Sequence, residues 1–146
     1  MPSKPPPPPL VFRPHGHFVS RVEGKIIISE VTGPWNKELV EEWAIGSQPV
    51  ALALSKHGPH VGIAVISGSM LCTPDALKVL REAAEYTARQ LNCLAHVIVA
   101  DKTVEGRDFV EPNFFRAYEG VMPLAIFYTL DEARAWALAQ LAAAGA

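Results

Sequence analysis

Short apolar runs that alternate with helical segments are the feature that most restricts the fold of this chain. Three such runs, at residues 61–66, 94–100 and 124–128, are bounded by turn residues, as buried strands usually are. The segments between and after them place apolar residues at three- and four-residue steps, the spacing of a helix that packs against a sheet. This alternation predicts an α/β fold with a largely parallel sheet covered by about four helices.

The beginning of the sheet is predicted to be an antiparallel hairpin. Residues 19–22 and 25–31 are strand-like and are separated only by Glu23-Gly24, where glycine supplies a positive φ at little cost. A helix is expected to follow Asn36, which caps it, and Gly46 and Pro49 are expected to kink or end that helix. A short third helix is expected at residues 112–119. The predicted sheet is therefore mixed, with an N-terminal hairpin followed by parallel strands.

The domain organisation follows from a run of five prolines at residues 5–9. Such a run favours an extended polyproline II conformation and cannot form a helix. We therefore expect a proline-rich N-terminal arm at residues 1–17 and one compact domain at residues 18–146.

Composition limits the classes of partner and location. The chain carries 13 basic and 15 acidic residues, with a net charge of −2. A nucleic-acid-binding domain usually shows a basic stripe, so no nucleic-acid partner is expected. No apolar stretch reaches the roughly 18 residues that span a bilayer, and the N-terminus shows no apolar signal segment. We expect a cytoplasmic protein that does not span a membrane.

The start of the second predicted helix carries the clearest local chemistry. Thr73 suits the N-cap, Pro74 suits the first helical position, and Asp75 complements the positive end of the helix dipole. Ser67 and Ser69 precede this turn. The segment Ser67-Gly68-Ser69 lacks both the lysine and the glycine spacing of a phosphate-binding P-loop.

Three segments in order resemble the SpoIIAA-like branch of the STAS domains. They are Gly33-Pro34-Trp35-Asn36, Leu71-Cys72-Thr73-Pro74-Asp75-Ala76 and Glu132-Ala133-Arg134-Ala135-Trp136, and the resemblance covers residues 18–141. It implies a non-enzymatic regulatory domain that binds a protein partner. In anti-sigma factor antagonists of this family, a serine or threonine at the start of the second helix is phosphorylated, and Thr73 matches that position.

The resemblance also indicates which surface a partner would contact. Ser67, Ser69, Cys72 and Asp75 surround Thr73 and form the expected partner surface. The chain departs from the family's regulatory pattern, because Cys72 and then Thr73-Pro74-Asp75 stand where an acidic residue, a serine pair and a glycine are typical. A homodimer is a further candidate, since small sheet domains must protect their edges.

A second interpretation is a carrier or sensor of a lipid-like apolar molecule. Some members of this branch are grouped with the lipid-binding Sec14-type domains. Four aromatic residues around the third predicted helix offer an amphipathic pocket wall. These residues are Phe109, Phe114, Phe115 and Tyr118.

Catalytic and metal sites are not expected. A catalytic triad could in principle consist of Ser69 or Cys72 with His96 and Asp101. The serine lacks a nucleophile elbow, however, and no spacing in the sequence places the histidine beside either nucleophile. We therefore expect no catalytic residues, no cofactor and no metal ligands. His96 is interpreted as a hydrogen-bonded residue of a strand. The acidic residues Asp101, Glu105, Asp108 and Glu111 are interpreted as a solvated loop.

Overall fold

A computed structural model describes residues 16–146, so the proline run at residues 5–9 lies outside the described residues. The described chain forms a five-stranded sheet and four helices. In chain order these are β1 (His17–Glu23), β2 (Ile26–Thr32), α1 (Lys37–Ser55), β3 (His60–Ser67), α2 (Pro74–Gln90), β4 (Cys93–Val99), α3 (Arg107–Tyr118), β5 (Leu124–Phe127) and α4 (Leu130–Ala143).

The strands lie side by side in chain order. β1 and β2 are antiparallel and form the predicted hairpin, in which Glu23 pairs with Ile26 and Gly24 has a φ of +57°. The pairs β2–β3, β3–β4 and β4–β5 are parallel, and one helix connects the two strands of each pair. The predicted α/β fold with a mixed sheet and four helices is confirmed.

The helices divide between the two faces of the sheet. Alternate strand residues such as Ile28, Ile63 and Val97 share a buried cluster with Ala133 and Ala137, so α4 covers one face. The other face packs against residues of α1, α2 and α3. Its buried cluster includes Val31, Ala64, Ile98, Leu39, Leu80 and Phe114. This two-residue alternation is the pattern that a sheet buried on both sides requires.

Helix α1 does not end at the predicted breakers. It continues through Gly46 and Pro49 to Ser55, and it buries Val40 before the proline and Ala51 after it. Proline inside a helix costs about 3 kcal/mol, while a fully buried large apolar side chain contributes about 1.5–3 kcal/mol. Beyond Pro49, the buried Ala51 and the partly buried Val50 and Leu54 pack against Ile27 and Leu91, which offsets part of this cost.

Helix α3 begins at Arg107 and not at residue 112, so part of the predicted acidic loop is helical. Arg107 is 6% exposed, and its Nε donates to the Ala100 carbonyl at 2.7 Å. Its guanidinium pairs with Asp108 at 3.1 Å and Glu111 at 3.0 Å and lies 4.0 Å from the Tyr128 ring centroid. Pairing with Arg107 holds Asp108 and Glu111 in the helix and corrects their interpretation as loop residues.

Candidate functional site

A cavity of about 220 Å³ lies between the sheet and helices α1 and α2. Its floor consists of residues of β2, β3 and β4 on the face of the sheet that α1 and α2 cover. These two helices form the walls. The floor includes Ile27, Ser29, Gly62, Ala64, His96 and Ile98, and the walls include Trp43, Ala44, Ser47, Ala51, Leu80, Ala83, Ala84 and Thr87.

Small residues create this space. Ala44 of α1 and Ala84 of α2 face the cavity where larger side chains would fill it, and Gly62 lies on its floor. A Cβ on Gly62 would lie 2.9 Å from Cδ2 of His96, which is closer than real contacts allow. Gly62 therefore makes room for the His96 ring.

The cavity reaches the surface between α1 and α2. Ile45 and Tyr86 both line it, and they are 71% and 45% exposed. Gln48, which also lines the cavity, is exposed as well. A small molecule therefore has a route between these two helices.

Three residues that line the cavity each have a buried polar atom with no hydrogen-bond partner within the protein. These atoms are Nε1 of Trp35, Oγ of Ser47 and Nδ1 of His60. Trp35 is 1% exposed and His60 is 2% exposed. A buried polar group without a partner costs about 1–3 kcal/mol and is rare in native proteins. These three residues make the cavity the candidate functional site of the described chain.

Several other polar groups of the cavity are already paired. Nδ1 of His96 lies 2.7 Å from the hydroxyl of Tyr118, which confirms His96 as a hydrogen-bonded residue. The Ser29 hydroxyl accepts from Nε1 of Trp43 at 3.1 Å and lies 2.8 Å from the Ser20 hydroxyl. These contacts fix the His96 and Trp43 rings.

The cavity carries no fixed charge. None of its lining residues is Asp, Glu, Lys or Arg. Burial lowers the pKa of His96 to about 4, and the neighbouring His60 adds to this effect. Burial also lowers the pKa of His60, against a smaller opposing effect of a hydrogen bond with the backbone of Leu91. Both rings are therefore neutral at pH 7.

The four predicted pocket aromatics occupy different environments. Tyr118 lines the cavity, whereas Phe114 is fully buried against Trp35, with ring centroids 5.3 Å apart. Phe109 is 80% exposed and Phe115 is 41% exposed on the outside of α3. The structure therefore places one of the four at the cavity.

Thr73 is an N-cap, as predicted. Its hydroxyl accepts from the amide of Ala76 at 3.3 Å and donates to Oδ1 of Asp75 at 2.5 Å. This hydrogen bond is the main cause of the lowered pKa of the Asp75 carboxyl. Burial, with the charge of Asp75, raises the pKa of the Cys72 thiol to about 12. The thiol is therefore protonated and a poor nucleophile at neutral pH.

The other residues of the predicted partner surface lie near this turn. The Ser67 hydroxyl is 3.0 Å from that of Thr32, and the buried Ser69 hydroxyl accepts from the Leu71 amide at 3.1 Å. Trp35 joins the turn to the cavity. Its backbone bonds to Leu71 and Thr73, while its indole lines the cavity.

The residues that sequence reasoning missed are Trp35, Ser47 and His60. Their signal lies in the period of two along β3, which puts His60, Gly62 and Ala64 on one face. Large apolar residues are expected on a face covered by helices. A histidine, a glycine and an alanine in that row therefore indicate unfilled space with a polar wall.

Within residues 16–146, no helix is long and apolar enough to cross a membrane, and no three candidate ligand side chains come together as a metal site. Comparison with family models, with curated proteins and with solved structures finds no match.

Proposed function

We propose that this chain is a carrier or sensor of a small, mainly apolar molecule bound between the sheet and helices α1 and α2. The observation that carries this proposal is the set of unpartnered polar atoms on Trp35, Ser47 and His60 around an otherwise apolar cavity. Ligand sites are typically apolar concavities with a few convergent polar groups. A molecule that reaches these atoms offsets their desolvation and fills the space.

Binding without catalysis is the form of this function that the lining supports. The lining residues include no carboxylate, lysine or cysteine. His96, which would be the candidate base, is hydrogen-bonded to Tyr118. Among the described residues, no serine or threonine hydroxyl of the lining is hydrogen-bonded to a histidine, so the nucleophile–base contact of covalent catalysis is not formed.

Cavity-filling variants test the proposal. Native mass spectrometry of the freshly purified protein is expected to show an added small-molecule mass, and toluene is expected to raise the melting temperature because it binds only the folded state. Ala44→Leu and Ala84→Leu, on different helices, are expected to abolish both effects. Leu138→Ala is the control, since Leu138 is 58% exposed on α4, across the sheet.

The outcomes separate clearly. Effects that are lost in both filled variants and kept in the control support binding in the cavity. A wild-type protein with neither an added mass nor a toluene shift would contradict it, and so would effects that persist in both filled variants.

Protein contact at the Thr73 turn is a second proposal, taken from the resemblance to the SpoIIAA-like domains. The exposure of Thr73, Pro74 and Asp75, and of the apolar Leu71 beside them, supports it. A second copy of the chain is one candidate partner, and the same native mass spectra report whether a dimer is present.

A further inference from the structure

We propose that the cavity selects an uncharged molecule of about nine non-hydrogen atoms that carries one carbonyl or hydroxyl oxygen on an apolar skeleton. This inference rests on the proposed function and defines the chemical class of its ligand. Three properties of the cavity carry it: the volume, the absence of charge and the hydrogen-bonding character of the unpartnered atoms.

The volume sets the size of the ligand. A cavity of roughly 150 Å³ lined by aliphatic and aromatic residues accommodates benzene. By proportion, the cavity of about 220 Å³ accommodates roughly nine non-hydrogen atoms. This is the size of a substituted phenyl compound, and only part of a phospholipid or of a long acyl chain would fit within it.

The titratable groups around the cavity exclude a charged ligand. They are His60 of β3, His96 of β4, Tyr86 of α2 and Tyr118 of α3, and no acidic side chain, lysine or arginine accompanies them. An anion would find no cation to pair with, and a cation would find no carboxylate. An unpaired charge in an apolar site costs far more than a neutral polar group does.

The unpartnered atoms require an oxygen on the ligand. The indole N–H of Trp35 can only donate, so its partner must be an acceptor. The Ser47 hydroxyl can donate or accept. Nδ1 of neutral His60 accepts, because the other ring nitrogen donates to the backbone of Leu91. A carbonyl oxygen satisfies Trp35, and a hydroxyl can also donate to one of the other two atoms.

The closing experiment uses four phenyl compounds of equal size. Acetophenone offers a neutral acceptor, isopropylbenzene has no polar atom, benzoate is an anion and benzamidine is a cation at neutral pH. Isothermal titration calorimetry of the full chain at pH 7 is expected to rank acetophenone first. Isopropylbenzene is expected to bind up to roughly tenfold more weakly, the value of one hydrogen bond. Benzoate and benzamidine are expected to bind at least roughly a hundredfold more weakly, because their charges would be buried unpaired.

Two serines of α1 supply a matched pair of variants for the hydrogen-bond part of the proposal. Ser47→Ala removes an unpartnered hydroxyl from the cavity, whereas Ser55→Ala removes one that already donates to the Leu52 carbonyl at 2.7 Å. Benzyl alcohol is the probe here, because its hydroxyl can both donate and accept. Ser47→Ala is expected to weaken its binding roughly threefold to tenfold, with isopropylbenzene unaffected. Ser55→Ala is expected to leave both affinities at the wild-type value.

The results of these titrations test the ligand class separately from the proposed binding function. Benzoate or benzamidine binding as tightly as acetophenone would overturn the selection for an uncharged ligand while leaving the proposed function standing. Equal affinity for isopropylbenzene and acetophenone would overturn the requirement for oxygen. Binding of none of the compounds to the wild-type protein would contradict the proposed function itself.

Discussion

Single residues were predictable where their partners lie close in sequence. Thr73 caps α2 through the amide three residues later, so its role needs no knowledge of the fold. Trp35 is the opposite case. Its backbone follows from the turn before α1, but the surroundings of its indole nitrogen depend on α1 and α3, whose Trp43 and Phe114 rings pack against the indole. No local pattern contains that information.

The buried histidines predict an acid-sensitive fold. His96 has a pKa of about 4 in the folded protein, against an ordinary value of 6.5, and the pKa of His60 is shifted in the same direction. As pH falls below 6.5, the unfolded chain takes up these protons before the folded chain does. The free energy of unfolding is therefore highest above about pH 6.5 and decreases as the pH falls toward 4. Between pH 7 and pH 5, His96 alone is expected to remove about 2 kcal/mol from the free energy of unfolding.

Urea unfolding at pH 7 and pH 5 measures this loss. His96→Gln is expected to reduce the difference between the two pH values, and His57→Gln, at an exposed position, serves as the control. The carboxyls of Glu23, Asp75 and Asp101 have lowered pKa values, so their contributions are lost mainly below this window. An unchanged difference in His96→Gln would refute the assignment to His96.

At the scale of elements, the existence of each helix and strand was easier to predict than its ends. The alternation of apolar runs identified five strands and four helices, because it reflects burial on both faces of the sheet. The early start of α3 was missed because it depends on Arg107 reaching the Ala100 carbonyl and the Tyr128 ring. The continuation of α1 beyond Pro49 likewise depends on packing that becomes visible only in three dimensions.

The capping role of Thr73 leads to a prediction for α2. Thr73→Ala removes one of the two oxygens that accept from the Ala76 amide, the other being Oδ1 of Asp75 at 2.9 Å. The substitution is expected to lower the free energy of unfolding by about 0.5–1 kcal/mol. Thr73→Ser keeps the hydroxyl oxygen and is expected to remain within a few tenths of a kcal/mol of the wild-type value. Urea midpoints of the three proteins measure the effect. Equal losses in both variants would show that the methyl group, and not the cap, is responsible.

At the scale of the whole molecule, the two faces of the sheet have different roles. The face under α4 is closed by a continuous apolar cluster. The opposite face carries three helices, and the cavity lies where α1 and α2 leave the small residues of β3 uncovered. The apolar-ligand interpretation, which was the alternative to protein contact, placed the pocket at α3, whereas the cavity lies at α1 and α2. The apolar pattern locates covered faces, whereas a cavity depends on the side-chain volume missing between particular elements.

The cavity also has a consequence for the volume of the protein. Unfolding removes internal voids, so a protein with an unfilled cavity occupies less volume when it is unfolded, and hydrostatic pressure favours that state. The ligand-free chain is therefore expected to unfold at a lower pressure than either the complex with acetophenone or the Ala84→Leu variant. High-pressure tryptophan fluorescence can follow the transition through Trp35 and Trp43, which both line the cavity. The unfolding pressure would then report occupancy of the site directly, without any label on the ligand.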